Sequence, residues 1–201
     1  MIYLYFILCW SDLTKREYGA QWKLVFYHNS IKGMFFSSKT EALNCNTTEK
    51  FSILRELDDR YQIEGLFEFL LEYPKHLGFN RWVQKNSPAI EAEPSTAKNI
   101  TGYKPISISW PGRHWGGLSL SSSVYTLIDG SIGSSNYWFS IGSFSNYENF
   151  NTFPGPAYSM TEYYPVSECY LWVRIPDATH QLNIIRKKLV FQILISHILM
   201  V

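Results

Sequence analysis

The side chains best suited to holding a ligand cluster between Trp110 and Trp138. There Trp115 precedes Gly116 and Gly117, Asp129 precedes Gly130 and Ser131, and Asn136 precedes Tyr137 and Trp138. A sugar ring presents an apolar face and a rim of hydroxyls, so its binder needs an aromatic platform beside groups that share hydrogen bonds. In this reading Trp115 or Trp138 is the platform, Trp110 and His114 flank it, and Arg113, Asp129 and Asn136 form the rim. The competing reading is turn chemistry: the glycines supply unusual backbone angles, Asp129-Gly130 closes a hairpin, and the tryptophans are core.

Catalytic signals are thin. The chain has no Gly-x-Ser-x-Gly elbow, phosphate loop or dinucleotide fingerprint. His28, His76 and His114 are scattered, and a histidine base needs a partner that the sequence does not reveal. A glycoside-active enzyme needs two carboxyls facing one cleft, for which Asp129 with Glu148 or Glu162 are the candidates. Glu68 and Glu72 share one face of a strand, but their backbones then stand about 13 Å apart, and they read as a solvated face. Few carboxylates lie near the glycine-rich loops, so calcium is unsupported and no cofactor is expected.

Cys9, Cys45 and Cys169 lack the spacing of a zinc site. Cys45 and Cys169 are the candidate disulfide of an exported chain, against buried free thiols as the alternative. Asn46-Thr47-Thr48 and Asn99-Ile100-Thr101 are glycosylation sequons in polar, turn-like stretches.

The elements that must position these groups are mostly strands. Aromatics make up 17% of the chain, and such residues favour strands over helices. "QWKLVFYHNS" puts Trp22, Leu24 and Phe26 on one face, and the following "IKGMFF" predicts a hairpin turning at Gly33. "GLFEFLLEYP" alternates, with Phe67, Phe69 and Leu71 inward, until Pro74 ends it. "KPISISW" predicts a strand burying Ile106, Ile108 and Trp110, and "ECYLWVRI" one burying Cys169, Leu171, Val173 and Ile175. One helix is expected near residues 49–62, where Phe51, Ile53, Leu54, Leu57 and Tyr61 recur at helical spacing between Asn46 and the stop at Gly65. The expected fold is mainly all-β, a β-sandwich of jelly-roll or lectin-like type with that helix packed on it.

The 201 residues suffice for one domain with a sizeable core, and residues 85–102 read as a surface loop within it. Residues 1–20 form an apolar segment, a candidate signal or unrelated extension; residues 21–176 are the recognition domain; residues 177–201 are an apolar extension. Lys and Arg total 18 against 17 Asp and Glu, so no electrostatic footprint for nucleic acid exists. The apolar run from Leu189 to Val201 is shorter than the ~20 residues a spanning helix needs, which confines membrane contact to the termini. The chain is expected at the cell surface or outside the cell if its first residues direct export, and in the cytoplasm otherwise.

The ordered series "WKLVFYHNS", "GLFEFLLEYP", "NRWVQKNSP", "GYKPISISW", "WGGLSLSS", "IDGSIG", "NYWFSIGS", "PGPAYS" and "LWVRI" resembles a lineage-expanded family of mostly uncharacterised protist proteins. "WKLVF" is also similar to the start of fibrinogen-like lectin domains, whose later cysteines and calcium residues are not matched here. The resemblance implies an all-β, lectin-like recognition module whose partner is a glycan or a protein, and it carries over no activity and no catalytic residue. The expected function is therefore non-enzymatic binding, with a structural or protein-interaction domain as the alternative.

Overall fold

The computed structural model describes residues 13–30, 34–74, 78–89, 99–110, 115–120, 126–131, 139, 141–144, 166 and 168–177. Arg113, His114, Asn136, Trp138, Glu148, Glu162, His76, Gly33 and Cys9 lie outside them. Among the described residues twelve strands occur in chain order: β1 (Thr14–Glu17), β2 (Ala20–Asn29), β3 (Cys45–Asn46), β4 (Lys50–Ser52), β5 (Gln62–Ile63), β6 (Leu66–Glu72), β7 (Phe79–Gln84), β8 (Lys104–Ile108), β9 (Trp115–Leu120), β10 (Thr126–Ser131), β11 (Ile141–Ser143) and β12 (Glu168–Ile175). They form two antiparallel sheets and, among the described residues, no closed barrel. The larger sheet runs β3-β4-β2-β12-β6-β7-β8, with β1 also on β2 and β5 also on β6; the smaller runs β11-β10-β9. The motif series falls largely on these strands, "WKLVF" on β2, "FEFLLE" on β6 and "LWVRI" on β12.

Position in the sheet explains which strands read as alternating. β12 lies between β2 and β6 and buries Cys169, Leu171, Trp172 and Val173, so it is covered on both faces. β8 is an edge strand, where Pro105 leaves no ladder hydrogen bond unmade. Ile106 there is 47% exposed, which corrects the expectation that it is core; Trp110, just past the strand, is buried because Asn80 brackets its backbone, accepting from Trp110 N at 2.9 Å and donating to Trp110 O at 3.0 Å.

The two sheets meet at Trp82 of β7 and Trp115 of β9, whose rings pack perpendicular at 4.9 Å. Gln84 fastens the contact. Its Oε1 accepts from Trp82 Nε1 at 2.7 Å and Leu118 N at 3.1 Å, and its Nε2 donates to Leu118 O at 3.0 Å and Asn86 O at 2.8 Å. One fully buried amide thus satisfies donors and acceptors from both sheets, which in a dry core stabilises more than isolated pairs would.

The helix expected near residues 49–62 is not there. Phe51 lies in β4 opposite Tyr27, and Leu54–Glu56 and Asp59–Tyr61 are single 3-10 turns. The burial was foreseen, since Phe51, Ile53, Leu54 and Leu57 are all core, but pairing with β2 overrides the helical period. Asn46 is no cap, because Thr47 closes the β3–β4 turn: its N donates to Lys50 O at 2.7 Å and its Oγ1 accepts from Lys50 N at 3.1 Å. The α-helix among the described residues is α1 (Lys39–Leu43), capped by Ser38, whose hydroxyl accepts from Glu41 N at 3.2 Å. Glu41 reaches back to Ser37 N at 2.6 Å, a close variant of the capping box in "SSKTE". The hairpin turn expected at Gly33 lies outside the described residues; Met34–Phe36 beyond it is not strand, and among the described residues β2 pairs with β1, β4 and β12.

The disulfide does not form. Cys45 and Cys169 are free thiols, and β3, β4, β2 and β12 separate them by three strand spacings of about 4.8 Å, beyond the Cα distance a disulfide spans.

The sheet begins at Thr14, inside the segment assigned to the apolar extension. β1 and β2 are joined by the two-residue turn Tyr18-Gly19, with φ of 52° and 71°. On a flat sheet β1 would stand three strand spacings from β6, yet Lys15 Nζ lies 2.6 Å from Glu72 of β6. The β1–β2 hairpin therefore folds over one face of the sheet. A bulge in β2 assists, since Phe26 faces Leu171 and Leu24 faces Trp172, leaving Val25 unpaired on that side and bending the strand.

Candidate functional site

Folding the hairpin over the sheet makes a cleft of about 390 Å³ between its tip and the end of β6 and β7. Five aromatic rings line it: Tyr18, Tyr73, Phe79, Tyr170 and Trp172. Glu72 and the chain at Pro74 and Gly78 complete the lining. The size falls within the roughly 300–1,000 Å³ common for small-ligand sites.

The register places these rings. Glu72 faces Phe79 across β6 and β7 and Tyr170 across β6 and β12, so all three project from one face of the sheet. Trp172, two residues on, stacks 6.1 Å from Tyr170 with planes 14° apart. Tyr18 comes from the hairpin tip and packs on Phe79 at 4.6 Å while staying 41% exposed. Tyr18 occupies a left-handed conformation that suits Asn or Gly and costs a bulky residue free energy.

Charges hold the rings in place. Lys15 Nζ sits 4.6 Å from the centroid of the Trp172 ring, 2.6 Å from both Glu72 oxygens and 2.8 Å from Glu17 Oε2. The Trp172 indole donates to Glu72 Oε2 at 2.7 Å. Behind this layer Glu68, only 5% exposed, is held by Arg81 at 2.5 Å and Arg174 at 2.8 Å, and the Arg81 guanidinium lies 5.4 Å from the Trp22 ring and 6.0 Å from the Tyr18 ring. This corrects the reading of Glu68 and Glu72 as a solvated face: both are ion-paired under the folded hairpin. Glu168 Oε1 accepts from the Tyr27 and Tyr170 hydroxyls, each at 3.1 Å.

Burial raises the pKa of Tyr18, and the charges of Glu17 and Glu72 raise it further, with Arg81 opposing. Burial also pushes Tyr27 up to about 12 and raises Tyr170, with Glu168 adding to both.

The residues singled out between Trp110 and Trp138 do not join this cleft where they are described. Trp115 is 8% exposed, wedged between Trp82 and Phe139, with ring centroids 4.9 and 4.7 Å away. Among the described residues its indole N–H has no hydrogen-bond acceptor at good geometry; burial raises the Tyr103 pKa and the Trp115 indole partly lowers it. Trp115 and Trp110 are thus core residues, not open platforms. Asp129 and Gly130 lie within β10, where Asp129 pairs with Ser119, instead of at a hairpin tip. Gly130 is required by packing: a Cβ there would stand 2.6 Å from the Trp115 ring. Arg113, His114, Asn136, Trp138 and the enzymatic candidates Glu148 and Glu162 lie outside the described residues. Asn46 and Asn99 are both exposed.

The sequence did hold one overlooked signal for the cleft, the dipeptide Tyr18-Gly19 between β1 and β2, a turn position unusual for tyrosine. Among the described residues no three His, Cys, Asp or Glu side chains are grouped to hold a metal ion, and no helix is long and apolar enough to cross a membrane. Comparison with protein-family models, curated proteins and solved structures finds no match to this chain.

Proposed function

We propose that this protein is a non-enzymatic, lectin-like binding module of sandwich type that recognises glycans, with its seat in the cleft under the β1–β2 hairpin. The observation that carries the reading is the composition of that cleft: the exposed ring of Tyr18 and the half-buried rings of Phe79 and Tyr170 beside the Lys15–Glu72 pair. Rings take the apolar face of a sugar, and a carboxylate–ammonium pair offers an acceptor and a donor to its hydroxyls. Tyr18 strengthens the case, because a turn that Asn-Gly would serve better keeps a strained tyrosine whose ring overhangs the cleft. Binding without catalysis fits the acidic residues at the cleft, since Glu68 and Glu72 are each engaged as ion-pair partners. Exposed Asn46 and Asn99 fit display at a cell surface.

The test is binding of the full chain to a broad glycan panel, with Tyr18→Asn as the variant. Asn suits the left-handed turn, so the fold is retained while the ring is lost. The expected result is specific binding that weakens at least about tenfold in the variant. Equal binding by both proteins would remove the cleft from the account.

A further inference from the structure

An ammonium group already sits against two residues of the cleft lining, Glu72 and Trp172, and it is the protein's own. Lys15 Nζ stands over the face of Trp172 and against both oxygens of Glu72, the two partners from which sites for organic cations are built. Among the described residues Glu72 is the carboxylate that lines the cleft; Glu17 stands behind it on Lys15 and Glu168 on the Tyr170 hydroxyl, while Arg81 is bound by Glu68. Lys75 and His76, between Pro74 and Gly78, lie outside the described residues. Electron-rich ring faces add to the charge of Glu72, and the pKa values of Tyr18 and Tyr170 are raised first by burial and then by these carboxylates.

We infer that the glycan seated here carries a free ammonium group, as a de-acetylated amino sugar does, and that this group displaces Lys15 Nζ from between Glu72 and Trp172. The inference rests on the reading of the cleft as a saccharide seat and names the class of saccharide. Displacement is inexpensive for two reasons. Lys15 is partly exposed on the short strand β1, where an ion pair contributes little net stability. Its ammonium also touches Glu17 of the same strand, so it keeps a carboxylate partner after withdrawing from Glu72. Lys15 is then an internal competitor for the seat.

The experiment titrates the full chain with glucosamine oligomers, N-acetylglucosamine oligomers of equal length and glucose oligomers, at low and high salt. The wild type should bind the amine form at least about tenfold tighter than the acetylated form, with the preference shrinking as salt rises. Lys15→Met, which keeps an apolar stem over Trp172, should bind the amine form roughly threefold tighter and neutral sugars more weakly, because the donor that Lys15 offers to their hydroxyls is gone. Glu72→Gln should lose the preference for the amine. Equal affinity for all three sugars would overturn the inference and leave the saccharide seat standing. Weaker amine binding by Lys15→Met would also overturn it, since Lys15 would then be a contact and not a competitor. Binding of a trimethyl-lysine peptide in place of every saccharide would overturn the amino-sugar assignment together with the glycan reading.

Discussion

Two buried groups set the electrostatics of single residues. Glu68 holds Arg81 and Arg174 from the strands on either side of it, so Glu68→Ala leaves two guanidinium groups without their carboxylate. The expected loss is about 3 kcal/mol in urea unfolding. His28 is the second. Its Nε2 lies 3.0 Å from Met34 O, Nδ1 has no partner among the described residues, and burial, the largest cause, lowers its pKa to about 4. The folded protein thus refuses a proton that the unfolded chain accepts below about pH 6.5. Stability from neutral His28 is complete above that pH and declines as pH falls towards 4, by up to about 3 kcal/mol. His28→Leu should flatten the stability profile across that window. Glu41 acts lower: burial raises its pKa, but hydrogen bonds from Lys50 and Ser37 together outweigh that and hold it at about 2, so its contribution is complete above the ordinary value of 4.5 and declines as pH falls towards 2. None of this was legible in the sequence. Glu68 and Glu72 alternate with apolar neighbours as solvent-facing residues do, and the hairpin that covers them is a tertiary event.

At the scale of elements, strands were the most readable part. β2, β6, β8 and β12 were legible as apolar runs or alternations bounded by Gly, Pro and polar clusters. The helix near residues 49–62 was misread because Phe51, Ile53, Leu54 and Leu57 fit a helical period equally well as a short strand followed by 3-10 turns. Only the pairing of β4 with β2 decides between them. The glycines after Trp115 were read as turn formers or loop elements, whereas Gly117 serves close packing between elements. Gly117 has φ of 103°, and a Cβ there would collide with Ile100 and approach Gln84 Oε1 at 3.0 Å. Gly117→Ala should therefore cost about 3 kcal/mol, from strain and from disturbing the amide that fastens the sheets, measured as a shifted urea midpoint at unchanged slope.

For the whole molecule, composition was a sound guide to class: high aromatic content pointed to a mainly β chain, and two antiparallel sheets are present. The location of the cleft was hidden, because it joins residues from opposite ends of the fold. Tyr18 and Lys15 precede the first long strand, Glu72 and Phe79 flank the β6–β7 connection, and Tyr170 and Trp172 belong to the last described strand. On the proposed function, this cleft and not the loops between Trp110 and Trp138 seats the ligand. The most direct measurement compares glycan-panel binding by the wild type, Tyr18→Asn and Arg113→Ala, with thermal unfolding to verify that each variant is folded. The account predicts binding that Tyr18→Asn loses and Arg113→Ala retains; binding that survives Tyr18→Asn and disappears in Arg113→Ala would contradict it.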